Sequence, residues 1–188
     1  GVRIHNLYGP TEAAVDVTYF DCSEFSGGTS VPIGKPVWNT QLYVLDETLR
    51  RVADGQPGEL YIGGLQVGRG YINQPELTKA AFIPDPFCNE AGARLYKTGD
   101  QARWLDDGNL EYLGRNDFQI KVRGVRIEPA EIENAMRRFP GITGAICVAR
   151  KNDNGDTQLV AYFTYPSHDD PSIKDSLADH FRQALPPQ

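Results

Sequence analysis

Seven consecutive residues near the start of the chain, Asn6-Leu7-Tyr8-Gly9-Pro10-Thr11-Glu12, place a Gly-Pro pair, a hydroxyl and a carboxylate side by side. Gly9 lets the backbone come close to a ligand, and Pro10 stiffens the turn. The Thr11 hydroxyl can donate to a phosphate oxygen while the Glu12 carboxylate holds Mg²⁺ beside it, a hard cation that takes oxygen ligands. The same residues also suit an ordinary loop between a strand and a helix start, with Thr11-Glu12 as its cap. The heptad alone supports both readings.

Three further segments follow in order. They are Gly58-Glu59-Leu60-Tyr61-Ile62-Gly63-Gly64, continued by Gly70-Tyr71 and Pro75-Glu76-Leu77-Thr78; then Tyr96-Lys97-Thr98-Gly99-Asp100; then Gly114-Arg115-Asn116-Asp117-Phe118-Gln119-Ile120-Lys121-Val122-Arg123-Gly124. In this order and spacing the set resembles the adenylate-forming ligase superfamily, and most closely the adenylation domains of non-ribosomal peptide synthetases. The resemblance covers roughly residues 1–165.

The resemblance implies attack of a substrate carboxylate on the α-phosphate of ATP, giving an acyl adenylate and pyrophosphate, then acyl transfer to the phosphopantetheine thiol of a peptidyl carrier domain. Such chemistry depends on positioning and charge neutralisation. By the same resemblance, Tyr8 flanks the adenine ring, Asn6 bonds its edge, and Gly9 lies against the nucleotide. Thr11 and Glu12 are the catalytic pair, with Glu12 as the Mg²⁺ ligand. Asp100 accepts the ribose hydroxyls, for which its two oxygens suit a diol. Tyr112 is a second aromatic near the nucleotide, although a strand tyrosine also suits a core. Arg115 bonds the ribose. Asp117 is the hinge about which the C-terminal part swings, a motion of the kind that gates turnover. Arg123-Gly124 is the loop that lines the pantetheine tunnel. A condensation domain and a small accessory activator protein are further implied partners.

Aligned on Tyr8 and Glu12, substrate-pocket positions fall on Leu7, Val15 and Asp16, a combination that resembles serine-activating domains of siderophore-type assembly lines. An inward Asp16 could bond a substrate hydroxyl, and a site built on such a bond rejects the analogue lacking it by ~10⁴–10⁵. The alternative is a surface Asp16 with the pocket set elsewhere. The family's phosphate loop belongs upstream of Gly1, and its Asn-Gly-Lys lysine downstream of Gln188. The expectation is therefore a segment of a larger enzyme, barely active alone, since losing one preorganised donor typically costs ~10²–10³ in rate. Two alternatives remain: an acyl-CoA or aryl-acid ligase of the same superfamily, and a non-catalytic docking segment. Asp16 and Val31-Pro32-Ile33-Gly34-Lys35-Pro36 favour the peptide-synthetase branch over the first.

The elements that must position these residues change character along the chain. Short apolar runs bounded by Gly, Pro and Asp predict strands at 42–46 and 58–62, and Val2-Arg3-Ile4 reads as the inside of a strand. Asp106-Asp107-Gly108-Asn109 predicts the turn of a hairpin between 103–105 and 110–113. Pro75 begins a predicted short helix at 75–82. Beyond Gly114, Ile132, Ala135, Met136 and Phe139 form a helical stripe entered at Glu128-Pro129 and stopped at Pro140-Gly141. Strands at 144–151 and 158–165 and a helix at 172–184 complete an α+β unit. The expected fold class is α+β: residues 1–116 as the barrel-like, β-rich part of the large adenylation subdomain, and 117–188 as a small, mobile, truncated C-terminal subdomain.

The 188 residues are 40% hydrophobic, and no apolar run nears the ~18 residues of a membrane span. A net charge of −6 argues against a nucleic-acid surface. Cys22, Cys88 and Cys147 lack metal-site spacing and read as reduced cytosolic thiols, and His5, His168 and His180 show no ligand pattern.

Overall fold

Two strands set the architecture because their residues alternate between two apolar faces. Strand β4 (Thr40–Leu45) points Leu42 and Val44 one way and Tyr43 and Leu45 the other, and β5 (Gly58–Gly64) does the same with Leu60, Ile62 and Tyr61. A strand buried on both sides reads as a continuous apolar run, which is how both segments look in sequence. The computed structural model describes residues 1–28, 30–116, 120–122, 125–152, 156–166 and 173–184. The chain divides into two units, Gly1–Asp117 and Phe118–Gln188.

In the first unit, β1 (His5–Tyr8), β2 (Thr18–Asp21) and β3 (Lys35–Pro36) form a small antiparallel sheet. The larger sheet runs β4-β5-β7-β6, with β6 at Phe82–Pro84 and β7 at Arg94–Trp104, and β8 (Leu110–Arg115) pairs with β7. A bridge between Gly34 and Leu110 joins the two sheets. The main core fills the space on one face of the larger sheet, with Tyr8, Ala13 and Val17 packed together with Leu60, Ile62, Tyr96 and Leu110. The opposite face buries Tyr43, Leu45, Tyr61 and Leu95 beneath Ile83 and Phe87. Helix α1 (Pro75–Ala81) has Pro75 in its first turn, where a missing N–H costs nothing.

Two expectations are corrected here. Both sheets are open, so the β-rich unit contains no closed barrel among the described residues. The first strand starts at His5 rather than Val2, because its partner stops at Asp21. There the Asp21 carboxylate accepts the Ser23 N–H and hydroxyl, which turns the chain into a 3₁₀ turn at Cys22–Glu24 and leaves Val2 and Ile4 exposed.

The second unit carries the hairpin β9 (Ile120–Val122) with β10 (Val125–Ile127), then α2 (Pro129–Arg137), β11 (Gly144–Lys151), β12 (Thr157–Thr164) and α3 (Ile173–Ala184). Met136, Ile142 and Leu177 form its core, with Phe139, Phe163 and Phe181 packed around them. Glu133 of α2 accepts the Cys147 N–H at 3.0 Å and Arg137 donates to the Ala145 carbonyl at 2.7 Å, so the helix is tied to β11 by side-chain bonds as well as by packing. Among the described residues, no helix is long and apolar enough to cross a membrane.

Candidate active site

The Thr98-Gly99-Asp100 segment is an interruption of a strand. Strand β7 pairs Lys97 with Tyr61 and Gln101 with Glu59, so three residues of β7 stand opposite one of β5. An interrupted ladder leaves backbone groups to satisfy. Thr98 resolves two of them: its hydroxyl donates to the Leu60 carbonyl at 2.7 Å and accepts the Asp100 N–H at 2.9 Å. The Glu59 carboxylate accepts the Gly99 N–H at 3.2 Å, and Gly99 supplies the left-handed backbone (φ 74°) that a side chain would resist. The result is an Asp100 carboxylate fixed in a site where only 4% of the residue is exposed.

A second irregularity brings its partner. The ladder between β7 and β8 shifts beside Gln101 and Ala102, which pair with Gly114 and Tyr112, leaving Leu113 as the extra residue. Tyr112 and Arg115 are three apart and would face opposite sides of a regular strand, and one inserted residue puts them on the same side. Arg115 pairs directly with Asp100, donating to one carboxylate oxygen at 2.6 Å and to the Thr98 carbonyl at 3.0 Å. The Tyr8 hydroxyl donates to the other Asp100 oxygen. The Tyr112 ring lies 6.4 Å from the Tyr8 ring, centre to centre. Burial, with the Asp100 carboxylate beside it, pushes the Tyr8 hydroxyl far above the usual phenol range. It therefore remains a donor at any physiological pH.

The loop that follows Tyr8 is closed by its own backbone. The Val17 N–H donates to the Tyr8 carbonyl at 2.8 Å, and Thr11–Ala13 form one 3₁₀ turn. Gly9 is required sterically, because a Cβ there would sit 1.9 Å from the Val15 carbonyl oxygen. Val15 has φ 79°, a strained conformation for a β-branched residue. The Glu12 carboxylate accepts the Tyr71 hydroxyl at 2.6 Å, and its carbonyl accepts the Gly68 N–H at 2.8 Å. The loop is thus docked on segment 68–71 by both side chain and backbone.

Among the predicted site residues, the structure gathers Tyr8, Asp100, Tyr112 and Arg115 into one cluster, with Gly9, Thr11 and Glu12 on the loop leading from it. Asn6 donates its amide N–H to the Pro32 carbonyl at 2.8 Å, tying β1 to the segment before β3. Leu7, Val15 and Asp16 are all exposed and do not converge with the buried cluster. Asp117, Arg123 and Gly124 lie outside the described residues. Sequence reasoning gave no role to Tyr71, Thr98 or Glu59. All three stood inside quoted motifs, which was the available signal.

The residues fit a nucleotide and its cation. Mg²⁺ is usually held by one or two carboxylates together with substrate phosphates and water. The Glu12 carboxylate on a turn beside a threonine hydroxyl suits that pattern, and no cluster of three His, Cys, Asp or Glu forms an all-protein cage among the described residues.

A family model described as AMP-binding enzyme matches residues 1–72. Similarity to peptide-synthetase relatives continues through both units. Tyrocidine synthase 3 of Brevibacillus parabrevis is 47% identical over 190 residues, 99% of this chain and 3% of the relative. Residues 1–72 are thus similar to the AMP-binding enzyme family. Enterobactin synthase component F of Escherichia coli is 46% identical over 197 residues, covering 100% of this chain and 15% of that protein. Among solved structures, holo-PA1221, a peptide-synthetase protein containing adenylation and carrier (PCP) domains, superposes with a TM-score of 0.81 at 31% identity, over 92% of this chain and 30% of that one. The chain spans a small part of the length of the curated relatives it matches.

Proposed function

We propose that this chain is part of an adenylation domain of a non-ribosomal peptide synthetase, which activates an amino acid as its aminoacyl adenylate and passes it to a carrier thiol. The observation that carries the reading is the buried Tyr8–Asp100–Arg115 cluster, because it joins three separate sequence motifs at one point beside the Thr11–Glu12 loop. The relatives and the adenylation–carrier structure support the same class.

In this reading the substrate carboxylate oxygen forms a bond to the α-phosphorus of ATP, and the bond from that phosphorus to the pyrophosphate oxygen breaks. Asp100 binds the ribose hydroxyls, with Arg115 and Tyr8 holding its carboxylate in place and Tyr112 as an aromatic wall. Thr11 donates to the α-phosphate. Glu12 would hold the divalent cation, which when bound neutralises charge on the phosphates. Bonds fixed before substrate arrives need no reorganisation during reaction. Residues 1–116 are assigned to the large adenylation subdomain and 117–188 to the small one, with Asp117 as hinge and Arg123-Gly124 as the pantetheine loop. Leu7, Val15 and Asp16 are the proposed selectivity positions, with serine as substrate.

The test is amino-acid-dependent ATP–pyrophosphate exchange by the full protein that carries this chain, across all twenty amino acids. Strong exchange with serine and little with alanine or threonine is expected. Exchange with a different amino acid would retain the class and remove the serine assignment. No exchange with any amino acid, from a folded protein that binds AMP, would overturn amino-acid activation.

A further inference from the structure

The Glu12 carboxylate is held by a residue 59 positions away, and that residue is itself held on several sides. The Tyr71 N–H donates to the Thr78 hydroxyl at 2.8 Å, and its ring stands edge-on to Phe82 at 5.6 Å. Phe82 in turn packs against the ring of Tyr96, a fully buried residue, at 5.2 Å. Arg94 donates to the Gly68 and Arg69 carbonyls at 2.9 and 3.0 Å, fixing the segment whose Gly68 N–H bonds the Glu12 carbonyl. Packing against Phe82 would be met equally by a phenylalanine at position 71, so the Tyr71 hydroxyl is set apart by its bond to a carboxylate. A phenol-to-carboxylate bond of this length is among the stronger hydrogen bonds.

We infer that Tyr71 is a positioning residue for the Glu12 carboxylate, orienting it for the divalent cation and so setting the cation affinity of the site. This rests on the adenylating reading of the Thr11–Glu12 loop. Groups that hold a metal ligand from behind typically contribute 10–100-fold to metal affinity.

The test uses the full protein and three readouts: the Mg²⁺ concentration at half-maximal pyrophosphate exchange, Mn²⁺ binding by electron paramagnetic resonance with a non-reacting ATP analogue, and metal-free AMP affinity. Tyr71→Phe is expected to raise the Mg²⁺ midpoint and the Mn²⁺ dissociation constant about tenfold, while AMP affinity stays within about twofold. In a Glu12→Gln background the same substitution should add nothing to either metal readout, which keeps the test valid even if Tyr71→Phe lowers stability. Equal shifts in AMP and metal binding, no shift in metal binding, or a metal effect that persists with Glu12→Gln would each overturn the inference. Wild-type protein that shows no Mg²⁺-dependent exchange would instead overturn the proposed function, and this inference with it.

Discussion

Two aspartate–arginine pairs among the described residues share the same chemistry in opposite surroundings. Asp100–Arg115 lies within the first unit with side chains 6% and 12% exposed, and Asp179–Arg182 lies on α3 of the second unit with side chains 68% and 74% exposed. The first is built by two strand irregularities and shared with Tyr8 and the Thr98 carbonyl, whereas the second is an i, i+3 contact on a helix surface. Water makes the difference. An exposed pair gains little, because solvent already satisfies both ions, while a buried pair must recover the cost of desolvating both. The buried pair is therefore better understood as a fixed binding element than as a source of net stability.

The largest expected effect comes from breaking the buried pair on one side. Asp100→Ala leaves the Arg115 guanidinium buried without its carboxylate and removes the acceptor of the Tyr8 hydroxyl, and should cost about 3–5 kcal/mol. Urea unfolding of the full protein, following the transition of this domain, would measure it. A loss below about 1 kcal/mol would mean that Arg115 reaches water when its partner is gone, and the contrast between the two pairs would collapse.

Gly9→Ala separates scaffold from charge, because it removes no charged side chain. The added Cβ would meet the Val15 carbonyl oxygen at 1.9 Å, so the loop has to move. Overpacking of this kind typically costs about 1–3 kcal/mol. AMP affinity should fall alongside, since the loop carries Tyr8 and Glu12 at its entrance. Unchanged unfolding and AMP binding would show that the loop relaxes freely and that the cluster does not depend on it.

Local chemistry was the part of this fold legible in the sequence. The Asp106-Asp107-Gly108-Asn109 turn formed as its residues dictate, with Asp107 accepting the Asn109 N–H at 2.9 Å and Gly108 at φ 77°. The apolar stripe of α2 led directly to that helix. Pairings fixed by distant partners were not legible. Nothing in Thr18–Asp21 signals that it lies against His5–Tyr8, nor do Tyr71 and Glu12, 59 residues apart, signal a hydrogen bond. Asp100 and Arg115 stood out as chemical residues. What brings Arg115 and Tyr112 to the same side is one extra residue at Leu113, a register effect that no side-chain pattern announces.

A pH experiment probes burial without touching either ion pair. Burial, with Glu59 beside it, pushes the Tyr61 hydroxyl up to about 12 from an ordinary value of 10.0. As pH rises between those values the unfolded chain gives up this proton while the folded chain keeps it, so the folded state loses stability over that window. Tyr61→Phe should flatten this part of the stability–pH curve and leave it unchanged below about pH 9. Identical slopes in both proteins would show that Tyr61 is solvated in the folded state.

The smallest effect is expected at the exposed pair. Arg182→Gln removes the partner of Asp179 but leaves a carboxylate already in contact with water, and glutamine sustains a helix about as well as arginine. The change in unfolding free energy should stay within about 0.5 kcal/mol and shrink further in high salt. A loss approaching that of Asp100→Ala would require the α3 pair to be shielded from water by a neighbour, which would make burial, not position in the chain, the common cause at both sites.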